Sequence, residues 1–415
     1  MEKLETTGHH RFLAGAARGE ITPAKELLPM PLIWGIRFTE VLDPLYVRVI
    51  SMSDGKHQSL FVTFEITAVP YAEETLEFLE KETGIPKTFI FLCATHTHGI
   101  TPYLPGFYKE SSKNEQKSRR WYGDIKRVLL DTVRKAMKAM VPAKIGYGTG
   151  ASYFNICRDG IYGNLSKMGF NFDRPSDHTI RIVRFDDLEG RTIALIVNYA
   201  CHAVVMNGSL RKGLTTPITS DYPGRTCKKL EDQMGSAVVL WCSGAAGDQN
   251  PWIMSQCALN ENGRYRNKNI GKVGEWILEY LSREHARDIL KGNHGIVCNM
   301  MDADIVCREK TVPVAAKNRG EKDIPYRLRL FQIGDIAFEG ISAEIVTSVG
   351  KAVRESSPLE KTILVSHANG YHGYVADEWE FEHNAFEAGS CLSQKGMAQP
   401  AFVKGFHELF AENAQ

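Results

Sequence analysis

The sequence predicts an α/β protein, a layered mixed β-sheet core flanked by helices, with its active site in loops at strand ends. Three observations predict it. Short apolar, β-branched runs alternate with longer segments of i, i+3, i+4 apolar spacing. That alternation packs helices over a largely buried sheet. Third, the chemically capable residues fall just behind the apolar runs, where open α/β sheets place their ligands.

In chain order, strands are expected at 45–52, 59–67, 88–94, 143–148, 179–184, 192–200 and 237–241, then at 295–303, 326–333, 336–340 and 362–366. Helices are expected at 72–82, 121–140, 223–234, 273–290 and 344–355. The helix near Pro223 is announced by Asp221 as N-cap and by proline at an early helical position. Segments 109–120 (KESSKNEQKSRR) and 256–272 read as exposed loops. Strand-forming sequence resumes on both sides of each, and there is no repeat or linker, so residues 1–415 are expected to form a single domain.

Composition narrows the class. The 43% hydrophobic and 24% charged residues exclude disorder, collagen and coiled coil. Fifty Lys+Arg against 49 Asp+Glu leave a net charge of +1, which offers no electrostatic basis for nucleic acid or an anionic membrane. The nine cysteines contain no C-x-x-C pair, so they form neither a disulfide framework nor a thiolate zinc finger. No run approaches a membrane span, and the N-terminal segment lacks a signal-peptide core, so the expected location is the cytoplasm. Nothing in the sequence indicates an oligomeric state; the expected partner is a small-molecule substrate.

Five clusters follow the apolar runs. FIFLCA leads to Thr95-His96-Thr97-His98, ALIVNYA to Cys201-His202, and AVVLWC to the turn SGAAGDQNP, residues 243–251. IAFEGIS leads to Glu344, and ILVSHA to 369–374, ending in Tyr374. His96 and His98, two apart in extended chain, project from one face and suit either two metal ligands or one ligand and one substrate-facing imidazole. Taken singly, His202 reads equally as a structural histidine, Glu344 as a helix first-turn acid, and Tyr374 as a packing aromatic. The glycine-rich turn offers close backbone approach and free N–H groups around Gly247, a candidate substrate-binding position. It is not a P-loop, and no G-x-S-x-G elbow occurs. Two histidines and a carboxylate are a common catalytic zinc set that leaves a position for water. With H-E-x-x-H missing, such a site would be assembled from distant loops.

The order of these motifs resembles the catalytic domain of the neutral, non-lysosomal ceramidases, zinc-dependent amidases that cleave the N-acyl bond of ceramide. The resemblance runs through AGAARGEITP, DPLYVRVISMSDG, ATHTH, NYACH with TSDYPG, GAAGDQNP, ISAEI and ANGYHGYVADEWEFEHNAFEAGS. It implies a ceramidase-like catalytic domain binding Zn2+ through His96, His202, Glu344 and Tyr374, with His98 facing the substrate and Arg158 in FNICRDG as a substrate-binding cation. The implied reaction is attack of metal-activated water on an amide carbonyl, with His98 or Asp248 as general base.

Three positions depart from the family pattern. Asn250, a candidate catalytic residue whose amide could still position substrate, stands where the family carries a serine before the proline; THTHSGP becomes THTHGITP; and Phe386, a candidate substrate-binding residue, replaces a tyrosine whose hydroxyl would bind substrate or oxyanion. The chain also ends where the family adds an immunoglobulin-like domain, so none is expected here. The metal centre is retained and the groups that read the substrate are altered, so the expected substrate is a small polar or amphiphilic molecule other than ceramide. Hydrolysis of an ester or glycoside, and a degenerate ligand-binding member, are the alternatives.

Overall fold

The computed structural model describes residues 12–31, 36–101, 112–163, 165–207, 209–211, 213–235, 237–261 and 264–412. Continuous apolar runs such as IFLCA and ALIVNY can be satisfied only by strands covered on both faces, and the layers do this. An eight-stranded sheet runs in the order Val238–Ser243, Thr192–Tyr199, Thr179–Asp187, Val141–Ala151, Leu13–Glu20, Tyr46–Ser53, Gln58–Phe64, Ile90–Ala94. The pair at each edge is parallel, and the pairs between are antiparallel. A four-stranded sheet orders Ile305–Val314, Ile324–Ile333, Ile336–Ile341 and Lys361–Val365, the last pair parallel.

The period-2 alternation of a strand sorts side chains between layers. Phe61, Phe91 and Cys93 face inward against Phe331, Phe338 and Ile363 of the small sheet. Their neighbours Leu60, Val62, Ile90 and Leu92 face outward against helices Ala72–Thr83 and Ser112–Lys138. Helices Asp221–Met234 and Val273–His294 cover the other half of that face. Thr347–Glu355 and Ala398–Ala411 cover the outer face of the small sheet. The architecture is therefore helix, sheet, sheet, helix: a mixed-sheet core flanked by helices, as expected. Among the described residues, no helix is long and apolar enough to cross a membrane.

Several local expectations are corrected. Residues 295–303 form no named strand. Their apolar side chains cover another strand instead, since a Cβ on Gly146 or Gly148 would lie 2.5 Å from Ile296. Residues 109–111 lie outside the described residues, but 112–120 are the first turns of helix Ser112–Lys138, whose Lys, Arg, Gln and Glu are good helix formers. Segment 256–272 contains a hairpin, Gln256–Glu261 with Arg264–Asn269. The N-cap before the helix at Asp221 is Ser220; Asp221 instead accepts from the backbone N–H groups of Val205, Met206 and Tyr222. Glu344 precedes its helix, in the short strand Glu344–Ile345 paired with Tyr374–Val375.

Candidate metal centre

Backbone hydrogen bonds fasten the strand ends into one place. Ser366 N–H donates to Ser243 O (2.9 Å), His367 N–H to Ala343 O (3.1 Å), Asn369 N–H to Leu92 O (2.9 Å) and His202 N–H to Gln249 O (3.0 Å). The parallel pairing of Glu344 with Tyr374 then sets those two side chains side by side. His96 occupies its position with a left-handed φ of 59°, a conformation uncommon outside glycine and held here by the surrounding structure.

Five polar atoms converge. His96 Nε2 lies 3.2 Å from His98 Nε2 and 3.4 Å from Glu344 Oε2. His202 Nε2 lies 3.2 Å from the same Glu344 oxygen and 3.3 Å from Tyr374 Oη. His96, His202, Glu344 and Tyr374 are buried, and His98 is half-buried. The opposite nitrogens are already committed. His96 Nδ1 donates to Thr67 O (2.7 Å), and His202 Nδ1 donates to Ala246 O (2.6 Å). A carbonyl can only accept, so each ring carries a proton on Nδ1 and turns its Nε2 to the carboxylate.

The Tyr374 hydroxyl (3.3 Å) and Arg158 Nη1 (3.5 Å) can donate to His202 Nε2, while acceptor atoms that face each other across the centre need a proton or a cation between them. Burial, then the positive Arg158, pushes the His202 imidazole down to about 4, and burial with His96 and His202 pushes His98 well down too. Burial opposes charge on Glu344, and only positive charge beside it, on the imidazoles of His96 and His202 or on a bound cation, holds its carboxyl well below the usual range. A second proton is thus disfavoured on His202 and His98 at neutral pH, and the donor set of imidazole, carboxylate and phenol fits a divalent cation. His96, His98 and His202 form one group with metal-binding spacing, and His96, Glu344 and His367 a second.

The remaining candidates are placed as follows. Arg158 is buried and anchored: Nε (2.7 Å) and Nη2 (2.6 Å) both meet Glu387 Oε1. Its other donors reach Tyr374 Oη (3.1 Å) and Asn250 Oδ1 (3.3 Å). Arg158 and Asn250 therefore belong to the wall of the site. Phe386 packs edge-on against Tyr374 with ring centroids 5.6 Å apart and remains 49% exposed. Asp248 Oδ1 accepts from the N–H and hydroxyl of Thr347, both at 2.8 Å, at the start of helix Thr347–Glu355. The Gly247 N–H donates to Ile345 O (2.8 Å), so it is spent on fixing the strand that carries Glu344. A Cβ there would lie 3.0 Å from the Ile345 carbonyl, which is why the turn needs glycine.

Three residues at the site were not singled out from the sequence. His367 stacks on His96, the Tyr371 hydroxyl donates to Glu344 Oε1 (2.7 Å), and Glu387 anchors Arg158. His367 had a usable signal, since it ends the strand run ILVSHA much as His96 ends FIFLCATH. Glu387 had none, lying in a short helix far along the chain.

No family model matches the chain. Solved structures do. The crystal structure of a neutral ceramidase from Pseudomonas aeruginosa superposes with a TM-score of 0.72, covering 96% of this chain and 73% of that one at 14% sequence identity. A ceramidase complexed with C2 gives a TM-score of 0.69, with 96% and 74% covered, also at 14% identity. The chain has a neutral-ceramidase-like fold.

Proposed function

We propose that this chain is a zinc-dependent hydrolase acting on an N-acyl amide bond of a small polar or amphiphilic substrate other than ceramide, with residues 1–415 forming one catalytic unit. The observation that carries the reading is the Nε2 pair of His96 and His202 turned onto one carboxylate oxygen of Glu344, each ring locked by a carbonyl behind it. Two imidazoles and a carboxylate are a common zinc set, and Tyr374 Oη completes it. Bound there, zinc would lower the pKa of a water to about 7 and polarise a carbonyl oxygen.

The protein's own groups have separate tasks. Glu344 presents Oε2 to the centre because Tyr371 holds Oε1. His98, neutral and less buried than its neighbours, is placed to receive a proton from the attacking water and return it to the leaving nitrogen. Asp248 is the weaker candidate for that task, because Thr347 occupies one of its oxygens twice. Arg158, fixed by Glu387, keeps a positive charge beside Tyr374 and Asn250, where it would bind a polar group of the substrate.

Metal analysis of full-length protein purified without chelator is expected to give about one zinc per chain, lost in His202→Ala. Less than about half a zinc, with no change in the variant, would sink the reading. A second reading keeps the metal and changes the bond to an ester or glycoside. It is favoured by Asn250, whose carboxamide is held by Arg158 and brings no hydroxyl to the site. Turnover confined to ester or glycoside panels, with none on N-acyl compounds, would select it.

A further inference from the structure

Beside the converging donors lies a ring that the hydrolytic reading leaves without a task. His367 follows strand Lys361–Val365, is 1% exposed, and adopts a left-handed φ of 56°. Its backbone N–H is fixed to Ala343 O, the residue before Glu344. The imidazole lies face to face on His96, with centroids 3.9 Å apart and planes 18° apart. The Tyr371 ring is also nearly parallel to that of His367, with centroids 5.8 Å apart and planes 7° apart. Tyr371 in turn holds Glu344 Oε1. One stack of three rings therefore links the supports of two converging donors, His96 and Glu344. The buried Nδ1 of His367 has no hydrogen-bond partner, a feature that costs stability by itself.

Two uses of this ring are chemically distinct: a further ligand, or a support for the ligands. Imidazole donates a lone pair in its ring plane. Two face-stacked imidazoles with nearly parallel planes aim their lone pairs side by side, so the stack disfavours His367 joining His96 on one ion.

We infer that His367 is a positioning residue for the metal centre, fixing the ring plane of His96 by stacking and, through Tyr371, the rotamer of Glu344. The hydrogen bond from His96 Nδ1 to Thr67 O sets the direction of that ring, but rotation about this axis is limited only by what packs on its faces. His367 supplies the packing on one face. This inference rests on the metal-centre reading above and deepens it.

The test uses full-length protein and two readouts other than turnover: zinc affinity by competition with a chromophoric chelator, and the visible spectrum of the Co2+-loaded form. His367→Leu fills the volume without a ring and is expected to weaken zinc binding by about 10- to 100-fold, as loss of an outer support does, and to shift the Co2+ bands. His367→Phe keeps a ring without nitrogen and is expected to bind zinc within about 3-fold of the parent, with the parent's Co2+ bands, inside the scatter of a retained support. His367→Gln gives the ring-free comparison if the leucine variant does not fold. Parent-like affinity and bands in the ring-free variant would overturn the inference. So would a phenylalanine variant as weak as the ring-free one, which would make the nitrogen a ligand. Failure of the parent to take up zinc, or uptake unaffected by His202→Ala, would overturn the underlying reading instead.

Discussion

At the scale of residues, the proposed reading separates groups that would hold the metal from a group that would react. His98 is half-buried, whereas His96 and His202 are fully enclosed and fastened through Nδ1. His98→Ala is therefore expected to keep its zinc while kcat falls by about 10²- to 10⁴-fold, the range for losing a general acid–base group. Unchanged kcat would remove His98 from the reaction. Arg158 and Glu387 form a buried ion pair at 5% and 0% side-chain exposure. Arg158→Met leaves a buried carboxylate unpaired and is expected to lower unfolding free energy by about 3–5 kcal/mol in urea titration. Adding Glu387→Leu should recover much of that loss, because the orphaned charge goes with it. A single variant as stable as the parent would contradict the pairing.

At the scale of elements, strand Ile336–Ile341 carries the clearest pH signal. Glu339 is fully buried, and burial outweighs Ser357 and Arg354 to push its carboxyl up from 4.5 to about 8. Below 4.5 both the folded and unfolded chain carry this proton, so the group costs nothing. Between 4.5 and about 8 the unfolded chain ionises first, so stability falls across that window and levels off above it. Glu339→Gln should flatten this fall, raising Tm at about pH 8 and leaving it nearly unchanged at about pH 5. Equal pH slopes in parent and variant would show that Glu339 is not responsible. Strands covered on both faces, such as Ile90–Ala94 and Thr192–Tyr199, were legible in the sequence because their residues are apolar without interruption. Edge strand Ile305–Val314 was not, since it is half-buried along most of its length and reads as CREKT. Run 295–303 misled for the opposite reason: Ile296 packs on glycines of a neighbouring strand, and the run pairs with that strand only at the single bridge between Met300 and Ile145. His96, His202, Glu344 and Tyr374 stood out by following strand runs or through the family resemblance. The Nδ1-to-carbonyl locks and the His367 stack depend on contacts between distant segments, which no local pattern encodes.

At the scale of the whole molecule, the centre joins the two sheets. His96 and His202 follow strands of the eight-stranded sheet, while Glu344 follows a strand of the four-stranded one. An ion held by both should stabilise their packing: at about 1,000-fold excess over Kd, zinc is expected to add about 4 kcal/mol. Chelator-treated protein should melt at a lower temperature and recover on adding zinc, and His202→Ala should show little recovery. Identical melting with and without zinc would mean that the ion does not bridge the layers. The most direct measurement is X-ray absorption at the zinc edge of the zinc-loaded full chain. Zinc held by His96, His202, Glu344 and Tyr374 would show a first shell of nitrogen and oxygen only, at about 2.0–2.2 Å, with imidazole scattering behind it. Sulfur at about 2.3 Å, or an all-oxygen shell without imidazole, would contradict it.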